Sequence, residues 1–183
     1  MIAAVLDFET TGLCMHPQAK IAMQPRAIEI GISMVDENGD VIAELGEMCN
    51  PGFKLDPVIT KITGITDEDL ADKPPFTALL PDIKRLMRNA DILVAHNLPF
   101  DRDILRYELA RAKETDFPWP ARNLCTAQLY AEIWGRRPRL LDLYEWSIGV
   151  PLAQTHRAID DVRALVEVVK KERLISLFHG LAS

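Results

Sequence analysis

The stretch MIAAVLDFETTGL, residues 1–13, places two acids near the end of an apolar strand. Side chains two positions apart on a β-strand lie on the same face, so Asp7 and Glu9 point in the same direction. A buried charge without a partner is energetically costly. A shared cation, a neighbouring base or solvent at the strand end would each remove that cost, and for this stretch alone solvent is the simplest explanation.

Hydrophobic periodicity and turn residues predict the other elements of an α/β fold. Two strands, 27–35 and 41–48, flank the turn sequence ENGD and predict a β-hairpin. A short buried strand is predicted at 91–95. The predicted helices cover 57–63, 76–88, 100–113, 124–134, 140–148 and 157–178. Three meandering strands followed by a strand between helices predict a mixed sheet with helices packed on it.

A third acid follows the predicted strand at 91–95, in the sequence HNLPFD of residues 96–101. Asp101 shares a helix face with Ile104 and Leu105, so it points toward the core. Asp103 lies off that apolar face. A helix-dipole interaction would explain an exposed acid in the first turn of a helix, but it explains an inward-pointing one less well.

A fourth acid begins the last predicted helix, in the sequence HRAIDDVRAL of residues 156–165. Asp161 shares the apolar face with Leu165, whereas Asp160 lies on the polar side. His156 comes just before this helix. Taken alone, His156 would be interpreted as a polar residue bonded to backbone at the helix end.

Three separate segments therefore each place an acid at the end of an apolar element. Carboxylates without a Cys or His ligand cluster suit Mg²⁺ or Mn²⁺ better than Zn²⁺. Two such ions about 4 Å apart stabilise the attacking and leaving oxygens of phosphoryl displacement. A nearby His would remove a proton from the attacking water, which is typically worth about 10²- to 10⁴-fold in rate.

Composition fits one globular domain in a chain of 183 residues. The formal net charge of −6 argues against a nonspecific polyanion binder, although metal-binding acids contribute to it. Neither a membrane-spanning run nor a signal peptide is expected. Cys14, Cys49 and Cys125 are odd in number and lack ligand spacing, which predicts free thiols and a reducing, cytoplasmic location.

The three strings DFETTGL, HNLPFD and His156-x4-Asp161, in this order and at these separations, resemble the three motifs of the DEDD 3′–5′ exonucleases with a catalytic His (DEDDh). The resemblance extends from Ile2 to about Leu177. It is strongest to the proofreading epsilon subunit of bacterial DNA polymerase III and to similar stand-alone exonucleases.

The resemblance implies a ribonuclease H-like fold with a central five-stranded mixed sheet, and a single exonuclease domain over residues 1–183. It implies metal-dependent hydrolysis at the 3′ end of single-stranded DNA, releasing nucleoside 5′-monophosphates in proofreading or repair. The implied general base is His156. The implied ligands of two divalent cations, Mg²⁺ or Mn²⁺, are Asp7, Glu9, Asp101 and Asp161. The implied substrate-binding residues are Thr10, Thr11, Gly12, Leu13, Asn97 and Phe100.

Several alternatives and partners stay open at this stage. The same site would also serve trimming of RNA ends or degradation of short oligoribonucleotides, and the fold would also suit a non-catalytic binding module. Candidate partners are a DNA polymerase and a sliding clamp, the latter through LISLF at 174–178. The basic loop GRRPR at 135–139 is a candidate contact for the nucleic-acid backbone. The segment at 14–26 is longer than the family pattern, and Thr63 stands where relatives often have His.

Overall fold

The computed structural model describes residues 1–153 and 155–178, which form one sheet with helices on both faces. The strands are β1 (Ala3–Thr10), β2 (Ala27–Val35), β3 (Val41–Met48), β4 (Ile92–Ala95) and β5 (Arg122–Cys125). The helices are α1 (Pro57–Thr63), α2 (Asp67–Ala71), α3 (Phe76–Met87), α4 (Leu98–Arg111), α5 (Thr126–Trp134), α6 (Leu140–Ile148) and α7 (Ala158–Lys171). The strand order is β3-β2-β1-β4-β5.

The sheet is mixed because β1 pairs antiparallel with β2 and parallel with β4. β2 pairs antiparallel with β3, and β4 pairs parallel with β5. This is the predicted five-stranded ribonuclease H-like arrangement. Because β1 and β4 are parallel neighbours, their carboxyl ends meet at one edge of the sheet.

Side chains of β1 alternate between two cores, as strand geometry requires. Leu6 and Phe8 enter the core under α3 and α4, whereas Ala3 and Val5 enter the core under α5, α6 and α7. β2 is buried along its whole length. Most of the fold's stabilisation comes from this two-sided burial of apolar surface.

Helix α7 approaches β2 so closely that no side chain fits between them at Gly31. A Cβ on Gly31 would lie 2.6 Å from the carbonyl carbon and oxygen of Ala158. Gly31 is also the residue of β2 that lies opposite Asp7 on β1. The glycine therefore sets how near the first turn of α7 comes to the acidic end of β1.

Two predicted elements were wrong at their ends. Residues 124–125 were predicted as the start of a helix but end β5, whose four residues are too few to show a strand period. The last helix was predicted to reach residue 178, but α7 ends at Lys171. Arg173 then adopts a positive φ of 52°, and a short 3₁₀ helix, Leu174–Phe178, follows.

All three cysteines are free thiols, and Cys49 and Cys125 are buried. Within the described residues, no helix combines the length and the apolar character needed to cross a bilayer.

We predict that Gly31→Ala destabilises the protein by about 1–3 kcal/mol, because the added methyl group meets backbone that cannot rotate away. Gly46→Ala is the matched variant, since its Cβ would meet the side chain of Ile159 at 3.0 Å rather than backbone. Denaturant unfolding of both variants should give the larger loss for Gly31. An equal or reversed order would contradict the proposed role of this contact.

Candidate active site

Three carboxylates from two elements converge at the carboxyl end of β1. Asp7 and Glu9 extend from the same side of β1, and Asp161 extends from the first turn of α7. One carboxylate oxygen from each of the three lies within 4.8 Å of the others. The inward direction predicted for Asp161 agrees with its burial, while Asp160 is more exposed.

Asp101 joins this group from the first turn of α4. Its side chain is 2% exposed, and its Oδ1 atom has no hydrogen-bond partner among the described residues. Asp101 is close enough to Asp7 for its charge to raise the pKa of Asp7. The structure thus brings together all four acids singled out in the sequence, which we call the carboxylate cluster (Asp7, Glu9, Asp101 and Asp161).

Burial and mutual repulsion both oppose ionisation of the carboxylate cluster. Burial, followed by the charges of Asp101, Glu9 and Asp161, raises the pKa of Asp7 well above its usual range. Burial and the charge of Asp161 raise the pKa of Glu9 to about 8. Burial likewise raises the pKa of Asp101 to about 8, although backbone groups at Phe8 and Asp101 oppose that shift. A bound cation would reverse these shifts by favouring the charged forms.

The donor set of the cluster fits hard divalent cations. It consists of carboxylate oxygens, the ligands that Mg²⁺ and Mn²⁺ prefer, and no Cys or His belongs to it. The buried Oδ1 atom of Asp101 has no hydrogen-bond partner in the part of the chain that the structure describes, and such atoms are rare in folded proteins. These two observations support a cation site at the cluster.

Sequence reasoning missed Glu29, which positions the beginning of α7. Glu29 lies on β2 opposite Glu9 and is only 1% exposed. It accepts hydrogen bonds from Nε and Nη2 of Arg157 (3.0 and 2.7 Å) and from the backbone N–H of Ala158 (3.0 Å). The signal was an acid in the otherwise apolar strand sequence AIEIGISMV, where burial of both faces requires such an acid to be paired.

His156 lies on the exposed loop just before α7. It has a positive φ of 52° and comes directly before Arg157, which is held by Glu29. The loop is therefore attached to β2 at a position next to His156. His156 thus lies two residues before the start of α7 and five residues before Asp161.

The turn after β1 has well-defined backbone contacts. Thr10 Oγ1 donates to the carbonyl of Gly12 at 2.7 Å, while the N–H of Thr11 donates to the carbonyl of Arg26 at 2.9 Å. A Cβ on Gly12 would meet no atom of the described residues within 4 Å, so packing against them does not require a glycine here. Leu13 is 84% exposed. The turn therefore leaves open space beside the cluster.

The two other predicted substrate-binding residues lie at the start of α4. Asn97 is exposed at the N-cap position, and its side chain makes no capping hydrogen bond. Phe100 is partly buried and packs against the core under α3 and α4. Asn97 is thus available to a ligand, whereas Phe100 has a packing role in the structure.

The basic loop at 135–139 lies near the end of β4. His96 bonds through Nε2 to the carbonyl of Pro138 at 3.0 Å, and burial lowers the pKa of His96. Because a carbonyl only accepts, a neutral His96 donates to it from Nε2. Arg139 pairs with Asp142 at 2.7 Å, and Arg136 lies over the ring of Trp134.

We predict that the metal-free protein loses stability as pH rises from about 5 to about 9. The raised pKa of Glu9, about 8, means that the folded state holds protons that the unfolded state has released, so stability falls until the pH passes 8. Thermal unfolding in EDTA measures this loss, and each kcal/mol lowers Tm by about 2–4 °C. Added Mg²⁺ should restore Tm.

The matched variants for this prediction are Glu9→Gln and Glu132→Gln. Glu9→Gln removes one repelling charge and should flatten the pH dependence and reduce the effect of Mg²⁺. Glu132 is exposed on α5, so Glu132→Gln should behave as the unaltered protein. A pH dependence unchanged by Glu9→Gln would contradict the electrostatic interpretation of the cluster.

Comparison with known proteins agrees with this geometry. Residues 4–169 match a family model described as exonuclease. DNA polymerase III subunit epsilon of Treponema pallidum is 32% identical over 163 residues, which cover 88% of this chain and 72% of that protein. A protein of Mycobacterium tuberculosis named as a bifunctional exonuclease/endonuclease is 36% identical over 171 residues. These cover 90% of this chain but only 25% of that protein.

Among solved structures, the nuclease domain of 3′hExo, a DEDDh family member bound to rAMP, superposes with a TM-score of 0.74. The match covers 98% of this chain and 92% of that one at 15% identity, so it shows a shared fold. Enzymes of this superfamily use divalent metal ions. The chain belongs to the exonuclease family, and it is a 3′–5′ exonuclease of the DEDD superfamily.

Proposed function

We propose that this enzyme removes nucleoside 5′-monophosphates from the 3′ end of single-stranded DNA, in proofreading or repair. The observation that carries the proposal is the carboxylate cluster at the carboxyl end of β1, followed directly by the turn at Thr10–Leu13, in which Leu13 is exposed. The preference for DNA rests on similarity to the polymerase subunit of Treponema pallidum. A single domain over residues 1–183 stays a prediction.

In this proposal, Asp7, Glu9, Asp101 and Asp161 hold two divalent cations, Mg²⁺ or Mn²⁺. Bound there, the cations would supply Lewis-acid activation of the attacking water and neutralise charge on the leaving oxygen. The turn at Thr10–Leu13 borders the terminal nucleotide. Asn97 and Phe100 are the other proposed contacts of this nucleotide, and the first turns of α4 and α7 orient Asp101 and Asp161.

His156 acts as the general base in the proposed mechanism. Its neutral imidazole takes a proton from the attacking water on one ring nitrogen. The loop that carries it is exposed, so the imidazole can approach a substrate bound at the cluster. The ion pair between Glu29 and Arg157 limits how far this loop can move from the cluster.

The alternative substrate is an RNA 3′ end, processed at the same site. This alternative is favoured by the likeness to 3′hExo, whose structure was solved with rAMP. The two substrates differ at the 2′ position of the ribose, which is the group that lets a protein distinguish RNA from DNA. A side-by-side assay on DNA and RNA of one sequence decides between them.

A sliding-clamp contact through LISLF has an energetic obstacle. Leu174 and Ile175 are buried in the core under α7, and Phe178 packs against it, which leaves Leu177 as the exposed apolar residue of the segment. Extracting two buried side chains would cost about 1.5–3 kcal/mol each. Association with a polymerase is therefore proposed from the relatives' names and not from this segment.

We predict that Asp101→Asn abolishes shortening of 5′-labelled single-stranded DNA, with at least about 100-fold loss of rate, because even partners of metal ligands are worth 10- to 100-fold. Asp103→Asn is the matched control, since Asp103 lies two residues away, is 41% exposed and pairs with Arg106 at 3.6 Å. Denaturing gels with Mg²⁺ or Mn²⁺, and with EDTA, measure stepwise shortening. Activity that survives both EDTA and Asp101→Asn would reject the proposal.

We predict that His156→Ala lowers the rate by about 10²- to 10⁴-fold near neutral pH while the products stay the same. The pH profile of the variant should also lose the acidic limb that protonation of the base produces. His16→Ala, which alters an exposed His in another loop, serves as the control. An unchanged rate and profile for His156→Ala would remove His156 from the mechanism.

A further inference from the structure

Exposed apolar side chains gather around one cleft beside the active site. The cleft has a volume of about 610 Å³ and is bordered by Leu13, Met15, Ile21, Met23 and Phe53. Their exposed fractions range from 39% for Ile21 to 84% for Leu13. A contiguous apolar surface of this kind commonly marks a binding site. We call it the Met23 cleft.

The loop that forms most of the cleft is held rigidly by buried polar groups. Gln24 is 3% exposed; its Oε1 accepts from the N–H of Met15 at 2.9 Å, and its Nε2 donates to the carbonyl of His16 at 3.1 Å. Arg111 donates from Nη2 to the carbonyls of Ile21 and Gln24, at 2.9 and 2.7 Å. The loop is therefore preorganised, although its apolar side chains face outward.

A buried acid fixes this loop to the rest of the protein. Glu108 is 1% exposed and accepts from Arg26 Nε, Arg111 Nη1 and the N–H of Ala27, at 2.9, 2.9 and 3.1 Å. Arg26 also donates to the carbonyl of Pro51, which lies two residues before Phe53. Arg26 and Arg111 thus both line the cleft and share one carboxylate, which leaves one excess positive charge among these three groups.

The Met23 cleft adjoins the turn that follows the two acids of β1. The turn at Thr11–Leu13 forms one wall of the cleft and also follows the two acids of β1 directly. Thr11 and Arg26 exchange two hydrogen bonds, both 2.9 Å, which join this turn to the loop. A strand whose 3′ end lies at the carboxylate cluster would therefore have its next nucleotides at or beside the cleft.

We propose that the Met23 cleft binds the unpaired nucleobases just upstream of the 3′-terminal nucleotide, an inference that rests on the proposed function. Flat apolar base faces match the Met, Leu, Ile and Phe side chains, and a phosphate backbone matches the excess of guanidinium charge. Paired bases in a duplex stack on one another and offer no free face. The loop at 14–26 thus makes the enzyme selective for single-stranded 3′ ends.

The test uses 5′-labelled DNA and RNA 12-mers that carry one abasic residue at the second, third or fourth position from the 3′ end. In the unaltered enzyme, an abasic residue at one of these positions should lower kcat/KM for the first cleavage about tenfold, mainly through KM. The double variant Phe53→Ala/Met23→Ala should lose about as much on the intact strand. The kcat/KM of the double variant should be no lower on the abasic strand than on the intact strand, because the variant has already lost the contact between the base and the cleft.

Two controls separate this inference from the proposed function. Ile42→Ala alters a residue that is equally exposed on β3 and should leave the base dependence intact. The p-nitrophenyl ester of thymidine 5′-monophosphate has no upstream base, so the double variant should hydrolyse it as fast as the unaltered enzyme. If the unaltered enzyme cleaves neither this ester nor the 12-mers, the proposed function fails. If the unaltered enzyme cleaves intact and abasic 12-mers equally well, only the cleft inference is overturned. The same holds if an abasic residue still lowers kcat/KM of the double variant.

Discussion

The contact between the first residue of α7 and β2 is the constraint on which the active site depends. Ala158 touches β2 at Gly31, and its N–H is bound by Glu29. These two residues of β2 lie opposite Asp7 and Glu9 on β1. One close backbone contact and one buried ion pair therefore determine where the first turn of α7, and Asp161 within it, meets the acids of β1.

This arrangement holds like charges together against their repulsion. Burial of apolar residues on both faces of the sheet stabilises the fold. This stabilisation outweighs the repulsion within the carboxylate cluster. Arg157 partly offsets the repulsion, because its charge opposes the rise in the pKa of Glu9. Glu29 acts in the other direction on Glu9, so its role is to position α7 rather than to relieve charge. The fold thus keeps a destabilising cluster that a cation would relieve.

Much of the fold and of the site was predictable from the sequence, for definite reasons. The apolar periodicity around Asp101 and Asp161 distinguished each from a neighbouring acid, Asp103 and Asp160, because a helix face repeats regularly. The partners of buried acids were not predictable in the same way. Glu29 bonds to Arg157 over 128 residues, and Glu108 bonds to Arg26 over 82 residues. Such pairings depend on the tertiary fold and leave no local pattern.

Elements too short to show hydrophobic periodicity were also missed. The four residues of β5 are too few to display alternation, and α2 has only five residues. The end of α7 depends on Arg173, whose positive φ of 52° is unusual for a residue other than glycine. The loop at 14–26 was recognised as long, but its anchoring by Arg111 required the packed structure.

The acidity of the chain is consistent with a nucleic-acid substrate once charge is considered locally. The formal net charge is −6, and the four acids of the carboxylate cluster are a large part of it. Two divalent cations bound there would neutralise those acids where the scissile phosphate lies. An acidic chain gives the rest of the strand less electrostatic attraction than a basic chain would. Contacts with bases are a further source of affinity, and the Met23 cleft offers an apolar surface for them beside the turn that follows the acids of β1.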